Sequence, residues 1–328
     1  MTPATSPLRL VVWGLGRHAT DKILPAVAAT EGLELYGVCS RDARTVSTSS
    51  AAWSCKGWTE AAPMLDDPKI DIVYVATPTG LHAEHAAAAI AAGKHVWCEK
   101  PLTSRLRDTL DLVSLSRRRQ LSLCEGHMYL HHPQFTQLAR YLSGGRIGRN
   151  LSVGFRFGIP PSAHPGFRTD KALGGGALLD VGSYPISALD ALFPDVAREV
   201  CYARVSFRGG SSVDTDGRAM IELSNGVAAD LEWRTGAAYR NEVDIWGDQG
   251  SLFADKIFSK PASFMPLFRL RDAHGVETTE PAGAGDHFVL MLRAFRDLAA
   301  DAEAAERERG SITRRAELLE KIASVAAA

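Results

Sequence analysis

The first third of the chain alternates short apolar runs, rich in β-branched residues, with alanine-rich stretches. The short runs predict strands, and the stretches between them predict helices. Strands that alternate with helices build a parallel sheet through right-handed crossovers. The predicted strands are LRLVVW, LELYGVCS, DIVYVAT, HVWCE and LSLCEG. The pattern therefore predicts an α/β domain over residues 1–125.

The pattern changes after about Gly126. A glycine-punctuated helix around 176–193 precedes several strands, and residues 286–326 return to amphipathic helix. Within ELSNGVAADLEW, Asn225 and Gly226 separate two alternating runs, which is a two-residue hairpin signal. We therefore expect residues 126–328 to form an α+β domain with an open, mixed, mainly antiparallel sheet. Its last helices could pack back on the first domain.

Length and composition agree with two domains, because 328 residues exceed what one hydrophobic core usually organises. The 37 basic and 38 acidic residues nearly cancel, so neither a nucleic acid nor a membrane surface is expected as a partner. No run approaches the roughly 20 apolar residues that cross a bilayer, and the N-terminus lacks a signal sequence, so we expect a cytoplasmic location. The five cysteines have no CxxC spacing, which argues against disulfides and thiolate metal sites.

A glycine-rich turn, GLGRHA, follows the first strand and leads into a helix. Gly14 permits a tight turn, and Gly16 lets the backbone approach a pyrophosphate. Ala19 is small enough for close helix–strand packing, and Arg17 and His18 lie beside the expected ligand. A plain tight turn is the alternative, but this place in an alternating domain favours the dinucleotide site of a Rossmann fold.

The second strand ends in Ser40 and Arg41, where NAD-specific domains usually carry an acidic residue for the ribose hydroxyls. A carboxylate there would repel a 2′-phosphate. Ser40 can donate a hydrogen bond to that phosphate, and Arg41 can pair with it while covering the adenine. NADP(H) is therefore the expected cofactor. The alternative is a solvated turn in which Arg41 pairs with Asp42.

The fifth strand ends in Glu99-Lys100-Pro101, at the carboxyl edge where doubly wound sheets bind ligands. Pro101 favours an extended Lys100, which would hold a cation near the expected nicotinamide, with Glu99 beside it. The alternative is a surface lysine in a turn. The segment by itself does not decide between them.

GGGALLDVGSY leads into the helix of the second half. Its three glycines permit close approach of the backbone to a ligand. Asp180 and Tyr184 are four residues apart, so on a helix they share one face and point into the same cleft. The alternative is a glycine-rich turn followed by a core tyrosine.

The GxGxxA turn, Thr77-Pro78 followed by His82, AGKHVWCEKPL and GGGALLDVGSY together resemble the family of glucose-fructose oxidoreductase, inositol dehydrogenase and rhizopine-catabolism proteins. The motifs occur in the right order over nearly the whole chain. The resemblance implies a Rossmann domain followed by an open sheet that joins a homodimer or homotetramer. It places Thr77, Pro78 and His82 near the cofactor, and Lys100 and Tyr184 beside the reacting carbon.

Many members of that family have histidine where this chain has Tyr184. The tyrosine is similar to the sugar 3-ketoreductase, dihydrodiol dehydrogenase and glucose-fructose oxidoreductase branches. Phenols are ordinarily protonated at neutral pH, which suits donation of a proton to an alkoxide, and the Lys100 ammonium would polarise the carbonyl. We therefore expect the reduction of a carbonyl.

Two further segments bear on the substrate. GDQGSLFADKIFSKPASFMPLFRLRD resembles the sugar-nucleotide 3-ketoreductases of deoxysugar biosynthesis, and EGHMYLHHPQF resembles a segment that this branch shares with dihydrodiol and xylose dehydrogenases. The resemblance implies a dTDP-linked keto-deoxyhexose that is reduced at carbon 3. Its diphosphate could pair with Arg156, Arg168 or Lys171, each of which could equally be a solvated surface charge. Arg168 is the preferred candidate.

Two other functions stay open. An NADP-dependent dehydrogenase of a free sugar or a trans-dihydrodiol would carry similar residues, and the same fold serves dinucleotide-responsive regulators without catalysis. Lys100 and Tyr184 together favour an enzyme, because a regulator does not need both. No metal is expected, since neither the histidines around His82 nor those around His131 are completed by a carboxylate or a cysteine.

Overall fold

A computed structural model describes residues 6–328 of the chain, which divides into two compact units. Unit 1 contains the residues up to Gly126 together with Phe288–Thr313, and unit 2 contains His127–His287 together with Arg314–Ala328. The first five residues of the predicted N-terminal domain lie outside the described residues. Among the described residues, no helix combines the length and the apolar character needed to cross a membrane.

The six strands of unit 1 form one parallel sheet. They are β1 (Leu8–Trp13), β2 (Leu33–Cys39), β3 (Lys56–Trp58), β4 (Ile72–Val75), β5 (His95–Cys98) and β6 (Leu123–Glu125). Their order is β3-β2-β1-β4-β5-β6, which is that of a Rossmann domain. Five strands match the predicted apolar runs, whereas the three residues of β3 are too few to show a pattern. The predicted N-terminal Rossmann sheet is confirmed.

In the described part of unit 1, five helices follow the first five strands and two more come from the C-terminal part of the chain. They are α1 (Leu24–Ala29), α2 (Ala43–Trp53), α3 (Ala61–Leu65), α4 (His82–Ala91), α5 (Leu106–Arg119), α8 (His287–Leu298) and α9 (Ala302–Ala327), of which α9 belongs to unit 1 only as far as Thr313. Every residue of β4 is buried, so this strand is covered on both faces. Because the carboxyl ends of parallel strands meet at one edge, the turns after β1, β4 and β5 lie close together.

Unit 2 contains an eight-stranded sheet and two further helices. These are α6 (Pro133–Ser143), β7 (Asn150–Ile159), α7 (Ser183–Leu192), β8 (Arg198–Ser206), β9 (Asp216–Leu223), β10 (Ala228–Thr235), β11 (Arg240–Gly247), β12 (Gly250–Asp255), β13 (Leu267–Asp272) and β14 (Glu277–Pro281). The order is β14-β13-β12-β11-β7-β10-β9-β8. The pair β7–β10 is parallel and the other pairs are antiparallel. The predicted open, mixed, mainly antiparallel sheet is confirmed.

The predicted hairpin joins β9 to β10, but its loop has three residues rather than two. Gly226 N–H donates to the carbonyl of Leu223 at 2.8 Å, and Leu223 N–H donates to the carbonyl of Val227 at 3.0 Å. Gly226 alone takes a positive φ, of 85°, while Asn225 does not. This is a type I turn followed by a left-handed glycine, a common three-residue hairpin. The two-residue prediction was wrong in the loop and correct in the hairpin.

The two faces of the unit 2 sheet differ. Phe157 and Trp233 point to the buried face, where the segment before α7 packs so closely that a Cβ on Gly182 would lie 3.1 Å from the indole of Trp233. The opposite face is open, and on it Trp246 is 65% and Met220 47% exposed. Alternation along the strands therefore gives this sheet one core face and one accessible face.

Candidate cofactor site and catalytic residues

The glycine-rich turn after β1 packs directly on the turn after β4. Gly14 has a φ of 107°, which side-chain-bearing residues rarely adopt, and a Cβ there would lie 2.6 Å from the carbonyl carbon of Ala76. A Cβ on Gly16 would meet no atom of residues 6–328 within 4 Å. The turn thus carries glycine where the backbone is crowded, and it has open space at the position where we expect a pyrophosphate.

A π-helical turn, Ala19–Ile23, precedes α1. Ala19 is buried, as its predicted packing role requires, and the N–H of Thr20 donates to the carbonyl of Gly16 at 3.1 Å. Turns of this kind are rare and often occur at functional sites. The residue pattern does not distinguish this turn from an ordinary α-helix.

Ser40 and Arg41 lie between β2 and α2. The carboxylate of Asp42 caps α2, accepting hydrogen bonds from the hydroxyl of Thr45 and from the N–H of Arg44 at 3.1 Å, and these bonds lower the pKa of Asp42. Arg41 is exposed and forms no ion pair with any residue that the structure describes. The alternative pairing of Arg41 with Asp42 is therefore not formed. This arrangement fits a phosphate on the adenine ribose.

Glu99, directly after β5, is held by two donors. The hydroxyl of Tyr74 donates to its Oε1 at 2.7 Å, and Nε2 of His18 lies 3.1 Å from the same oxygen. Burial by itself would raise the pKa of this carboxyl. The charge and hydrogen bond of His18, with smaller contributions from Tyr74 and Lys100, lower that pKa to about 2. The Glu99 anion thus links the glycine-rich turn to the ends of β4 and β5.

Lys100 lies in the turn after β5 and precedes Pro101 through a cis peptide bond. The carboxylate of Glu125, at the end of β6, accepts a hydrogen bond from the N–H of Leu102 at 2.8 Å. Glu125 is buried, so this bond to the backbone fixes the turn from inside unit 1. The predicted lysine is thereby placed at the carboxyl edge of the parallel sheet.

His82 begins α4, after Thr77 and Pro78. It is 1% exposed, with Nδ1 3.0 Å from the carbonyl of Pro101 and Nε2 2.7 Å from the carbonyl of Thr77. Burial lowers the pKa of its imidazole. Because both nitrogens face the protein, we assign His82 to holding these two turns together rather than to the predicted direct contact with the cofactor.

Tyr184 lies in an aromatic cluster of unit 2 and is 8% exposed. Its ring centroid is 4.9 Å from that of Phe157 and 5.7 Å from those of His127 and Phe258. Its hydroxyl donates to the sulfur of Met128 at 3.8 Å. Sulfur is a weak acceptor, so this contact constrains the phenol proton only slightly.

The helix that carries Tyr184 also begins with a π-helical turn, Leu178–Gly182. The carboxylate of Asp214 accepts the N–H of Leu178 at 2.7 Å, and a Cβ on Gly176 would lie 2.3 Å from the same carboxylate. Gly176 also has a φ of 125°. The triple-glycine segment therefore lets Asp214 hold the start of the turn, in place of the regular helix that the pattern predicts.

The predicted substrate residues Arg168 and Asp180 form an ion pair, with Nε of Arg168 2.8 Å from Oδ2 of Asp180. Arg168 is half-exposed, so its guanidinium also borders solvent. Because an arginine carries five donors, one carboxylate leaves donors for a second anion. The substrate-binding roles of Arg168 and Asp180 stay predictions.

Arg156 does not belong to this group. It lies between the buried Phe155 and Phe157 on β7, so it points to the open face of the sheet, away from Tyr184. There it lies 3.6 Å from carboxylates of Glu232 and Glu242. The placement disagrees with the prediction that Arg156 binds the substrate, because one step along a strand reverses the face.

Several residues that hold these sites were not identified from the sequence. Tyr74 lies in the buried run IVYV and Glu125 ends a buried strand, and a buried polar group needs a partner, which was the available signal. Phe157 and Phe258 carried no such signal, because an aromatic residue in a strand or loop is usually core. Among the described residues, no three His, Cys, Asp or Glu side chains are grouped to hold a metal ion.

Two family models match the chain. The model of an oxidoreductase family with an NAD-binding Rossmann fold matches residues 8–127, and the model of the GFO/IDH/MocA C-terminal domain matches residues 135–253. These ranges contain Gly14, Lys100 and Tyr184.

Individual proteins are similar over most of their length. A dTDP-3,4-didehydro-2,6-dideoxy-alpha-D-glucose 3-reductase of Saccharopolyspora spinosa is 34% identical over 90% of this chain and 88% of its own. A tyrosine-to-phenylalanine variant of a 3-ketoreductase from Actinomadura kijaniata, in complex with TDP-benzene and NADP, superposes with a TM-score of 0.92 at 31% identity, covering 97% of this chain and 98% of that one. A lysine-to-alanine variant of that enzyme, with the same ligands and coverage, has a TM-score of 0.89 at 31% identity.

Proposed function

Since the chain belongs to the GFO/IDH/MocA family of oxidoreductases, we propose that it reduces a sugar ketone with NADPH, at carbon 3 of a dTDP-linked keto-deoxyhexose. The observation that carries the proposal is the similarity over 97% of the chain to a 3-ketoreductase crystallised with TDP-benzene and NADP. Four relatives that are named for this same 3-reductase activity are 31–34% identical to the chain.

Lys100 and Tyr184 are the proposed catalytic residues. The substituted lysine and tyrosine of the Actinomadura kijaniata enzyme are separated by the same number of residues as Lys100 and Tyr184 are here. In this chain the lysine lies on a fixed turn at the sheet edge, and the tyrosine lies in a buried aromatic cluster. The agreement in spacing supports the assignment of both roles.

The residues of unit 1 fit NADP(H). The turn at Gly14 and Gly16 would hold the pyrophosphate, Ser40 and Arg41 would bind the 2′-phosphate, and Thr77 and Pro78 would border the nicotinamide half. Open space in front of Gly16 and the unengaged Arg41 support this fit. When bound, the reduced cofactor supplies the hydride.

Lys100 and Tyr184 would stabilise the negative charge and supply the proton that the reduction needs. The ammonium of Lys100 would polarise the ketone and stabilise negative charge on its oxygen. Tyr184 would donate its phenol proton to that oxygen, for which a neutral phenol at physiological pH is suited. The charge of Lys100 is one of the contributions that lower the pKa of Glu99, so this carboxylate stays ionised beside the lysine. These roles predict reduction as the favoured direction.

Arg168 is the proposed partner of the substrate diphosphate. Its ion pair with Asp180 orients the guanidinium, and the exposed Lys171 lies in the adjoining turn, Lys171–Leu173. Arginine suits bidentate contact with phosphate oxygens. Asp180 would then set the position of Arg168 rather than contact the diphosphate, because like charges repel.

Substitution of the two catalytic residues tests the mechanism. We expect Tyr184→Phe and Lys100→Ala each to lower kcat about 100-fold or more, because each removes a proton donor or a charge at the reacting oxygen. NADPH affinity, measured by fluorescence titration, should change little for Tyr184→Phe. Near-normal turnover in both variants would rule out the mechanism.

A panel of candidate substrates tests which class of substrate the protein acts on. NADPH oxidation or NADP reduction is followed with a dTDP-linked 3-keto-deoxyhexose, free xylose and an aromatic trans-dihydrodiol. We expect turnover of the nucleotide-linked ketone with a kcat/KM well above the values for xylose and the dihydrodiol. Preference for a free sugar or a dihydrodiol would favour a dehydrogenase, and tight NADPH binding without turnover of any compound would favour a regulator.

We also propose that the open face of the unit 2 sheet binds a second copy of the chain. It contains a depression of about 830 Å³ between Met220 and Trp246, and its charges of both signs, such as Arg271 and Asp244, can pair across a twofold axis. Sedimentation velocity tests this: Trp246→Asp should shift the protein to the monomer without a loss of helix content. A wild-type monomer at micromolar concentration would contradict it.

A further inference from the structure

We propose that His127, Ser187 and Tyr129 form a buried hydrogen-bonded chain that fixes the position of Tyr184, so that all three are positioning residues for proton donation. The proposal rests on the proposed function of Tyr184. It concerns residues that all belong to unit 2. None of them touches the reacting atoms in this proposal.

The geometry centres on the hydroxyl of Ser187. Its Oγ lies 2.8 Å from the carbonyl oxygen of Tyr184, 2.7 Å from the hydroxyl of Tyr129 and 3.2 Å from Nδ1 of His127. The Tyr129 hydroxyl also lies 3.1 Å from the Tyr184 carbonyl. Each of the three side chains is no more than 1% exposed. Burying polar groups this deeply costs free energy unless they form hydrogen bonds. The bonds among these three side chains therefore help to stabilise the core.

The hydroxyls of Ser187 and Tyr129 both donate to the carbonyl of Tyr184. The oxygen of Ser187 also lies within hydrogen-bond distance of the Tyr129 hydroxyl and of Nδ1 of His127, so it connects both rings to that carbonyl. The three residues therefore converge on one backbone carbonyl.

That carbonyl lies at the second residue of α7, directly after the π-helical turn Leu178–Gly182. The ring of His127 also meets the ring of Tyr184 edge to face, at 5.7 Å and 84°. One histidine thus acts on the backbone of Tyr184 through Ser187 and on its ring directly. Because proton donation needs the phenol within hydrogen-bond reach of the substrate oxygen, a small displacement of Tyr184 would slow turnover.

Kinetics of single variants provide the first test. Ser187→Ala, Tyr129→Phe and His127→Phe each remove one link, and His127→Phe keeps an aromatic ring in place. We expect kcat to fall about 10- to 100-fold with KM and NADPH affinity nearly unchanged. His127→Gln retains an amide that can donate to or accept from Ser187, so it should recover part of the kcat that His127→Phe loses.

Ser116→Ala is the matched control. Ser116 is also fully buried in a helix, and its hydroxyl donates to the carbonyl three residues earlier, Val113, at 3.0 Å. It lies in α5 of unit 1, outside the proposed sites. We expect both variants to lower the melting temperature, Ser187→Ala more strongly because it also removes the bonds to Tyr129 and His127, but we expect a loss of kcat only in Ser187→Ala.

Combination with Tyr184→Phe separates positioning from a general effect on the fold. If the hydrogen-bonded residues act through the phenol of Tyr184, adding Ser187→Ala or His127→Phe to Tyr184→Phe should lower the single-turnover rate little further. An undiminished further loss would overturn the inference, as would normal kcat in all single variants beside an impaired Tyr184→Phe. Normal turnover in Tyr184→Phe would instead overturn the proposed function. If Ser187→Ala fails to fold, the comparison of His127→Phe with His127→Gln decides.

Discussion

The cofactor turn of unit 1 and the tyrosine cluster of unit 2 are built in different ways. The turn is one contiguous segment, from Gly14 to Ala19, and its backbone geometry creates the proposed binding surface. The cluster gathers side chains from four separate segments, around Met128, Phe157, Tyr184 and Phe258. A site made by the backbone of one segment can be recognised from a short motif, whereas a site made by packing cannot.

The two units also differ in the surroundings of a buried ionisable group and in the effect of those surroundings on its pKa. In unit 1, Glu99 lies beside His18 and Tyr74, and its pKa is about 2 despite burial. In unit 2, Lys260 is 7% exposed and donates to the carbonyl of Ile257 at 3.1 Å; burial lowers its pKa to about 7. The first group is held charged by its neighbours, and the second loses charge stabilisation because water is excluded.

The largest effect is expected in the cofactor turn. Gly14→Val places side-chain atoms against Ala76, where even a Cβ would lie 2.6 Å from the carbonyl carbon, and imposes a φ that valine does not tolerate. We expect NADPH affinity to fall by more than about 100-fold and the melting temperature to drop. Fluorescence titration and thermal denaturation measure these two quantities.

Gly16→Ala is the control for that change. Its Cβ would meet open space, so the melting temperature should stay near that of the wild type while NADPH binds more weakly. A large loss of stability in Gly16→Ala, or normal NADPH binding in Gly14→Val, would contradict the difference between the crowded and the open glycine.

The second prediction concerns the lysine of unit 2. Lys260→Met removes a buried amine that is costly to charge, and we expect it to stabilise the protein by about 2–4 kcal/mol at pH 7. Between pH 7 and 10.5 the folded state binds fewer protons than the unfolded state, so wild-type stability rises with pH and the gain should shrink. Urea denaturation of the wild type and of Lys260→Met at several pH values measures this difference in the free energy of unfolding.

Lys256→Met removes the same charge from the same loop, where the ammonium lies over the ring of Phe264 at 4.2 Å. We expect no stabilisation from this control. A gain in Lys256→Met as large as that in Lys260→Met would show that net charge, rather than burial, is responsible.

The third prediction concerns the anion of unit 1. Because the pKa of Glu99 falls from its ordinary value of 4.5 to about 2, its ionisation contributes about 3 kcal/mol of stability at neutral pH. This contribution is fully present above about pH 5 and is lost as the pH falls through about 2. Glu99→Gln should therefore be less stable than the wild type at pH 7 and nearly equal to it at pH 2. A pH-independent difference in urea denaturation would contradict this prediction.

The smallest effect is expected at the exposed end of the cofactor site. Arg41→Ala should weaken NADPH binding about tenfold and leave NADH binding unchanged, because only the 2′-phosphate loses a partner. Arg44→Ala, whose N–H rather than side chain contacts the capping Asp42, is the control and should have a smaller effect. Equal loss of NADPH and NADH affinity would show that Arg41 does not recognise the phosphate.

Much of this protein was predictable because local patterns determine it. The apolar runs of β1 and β4 and the glycines between strand and helix indicated a Rossmann domain, which the strand order of the parallel sheet confirms. Family motifs over nearly the whole chain added the membership that the comparisons confirm. The catalytic roles of Lys100 and Tyr184 stay predictions. Each role depends on where the reacting atoms of a bound substrate lie relative to the side chain.

The sequence by itself determined the parallel sheet, the hairpin at Gly226 and the glycine that the turn at Gly14 requires, because each depends on dihedral angles and periodicity within a few residues. Only the tertiary structure decided that Arg156 points to the open face and that His82 is occupied by two carbonyls. The same holds for the surroundings of Tyr184, which come from distant segments. Contacts of this kind depend on how separate elements pack, and no local pattern encodes that.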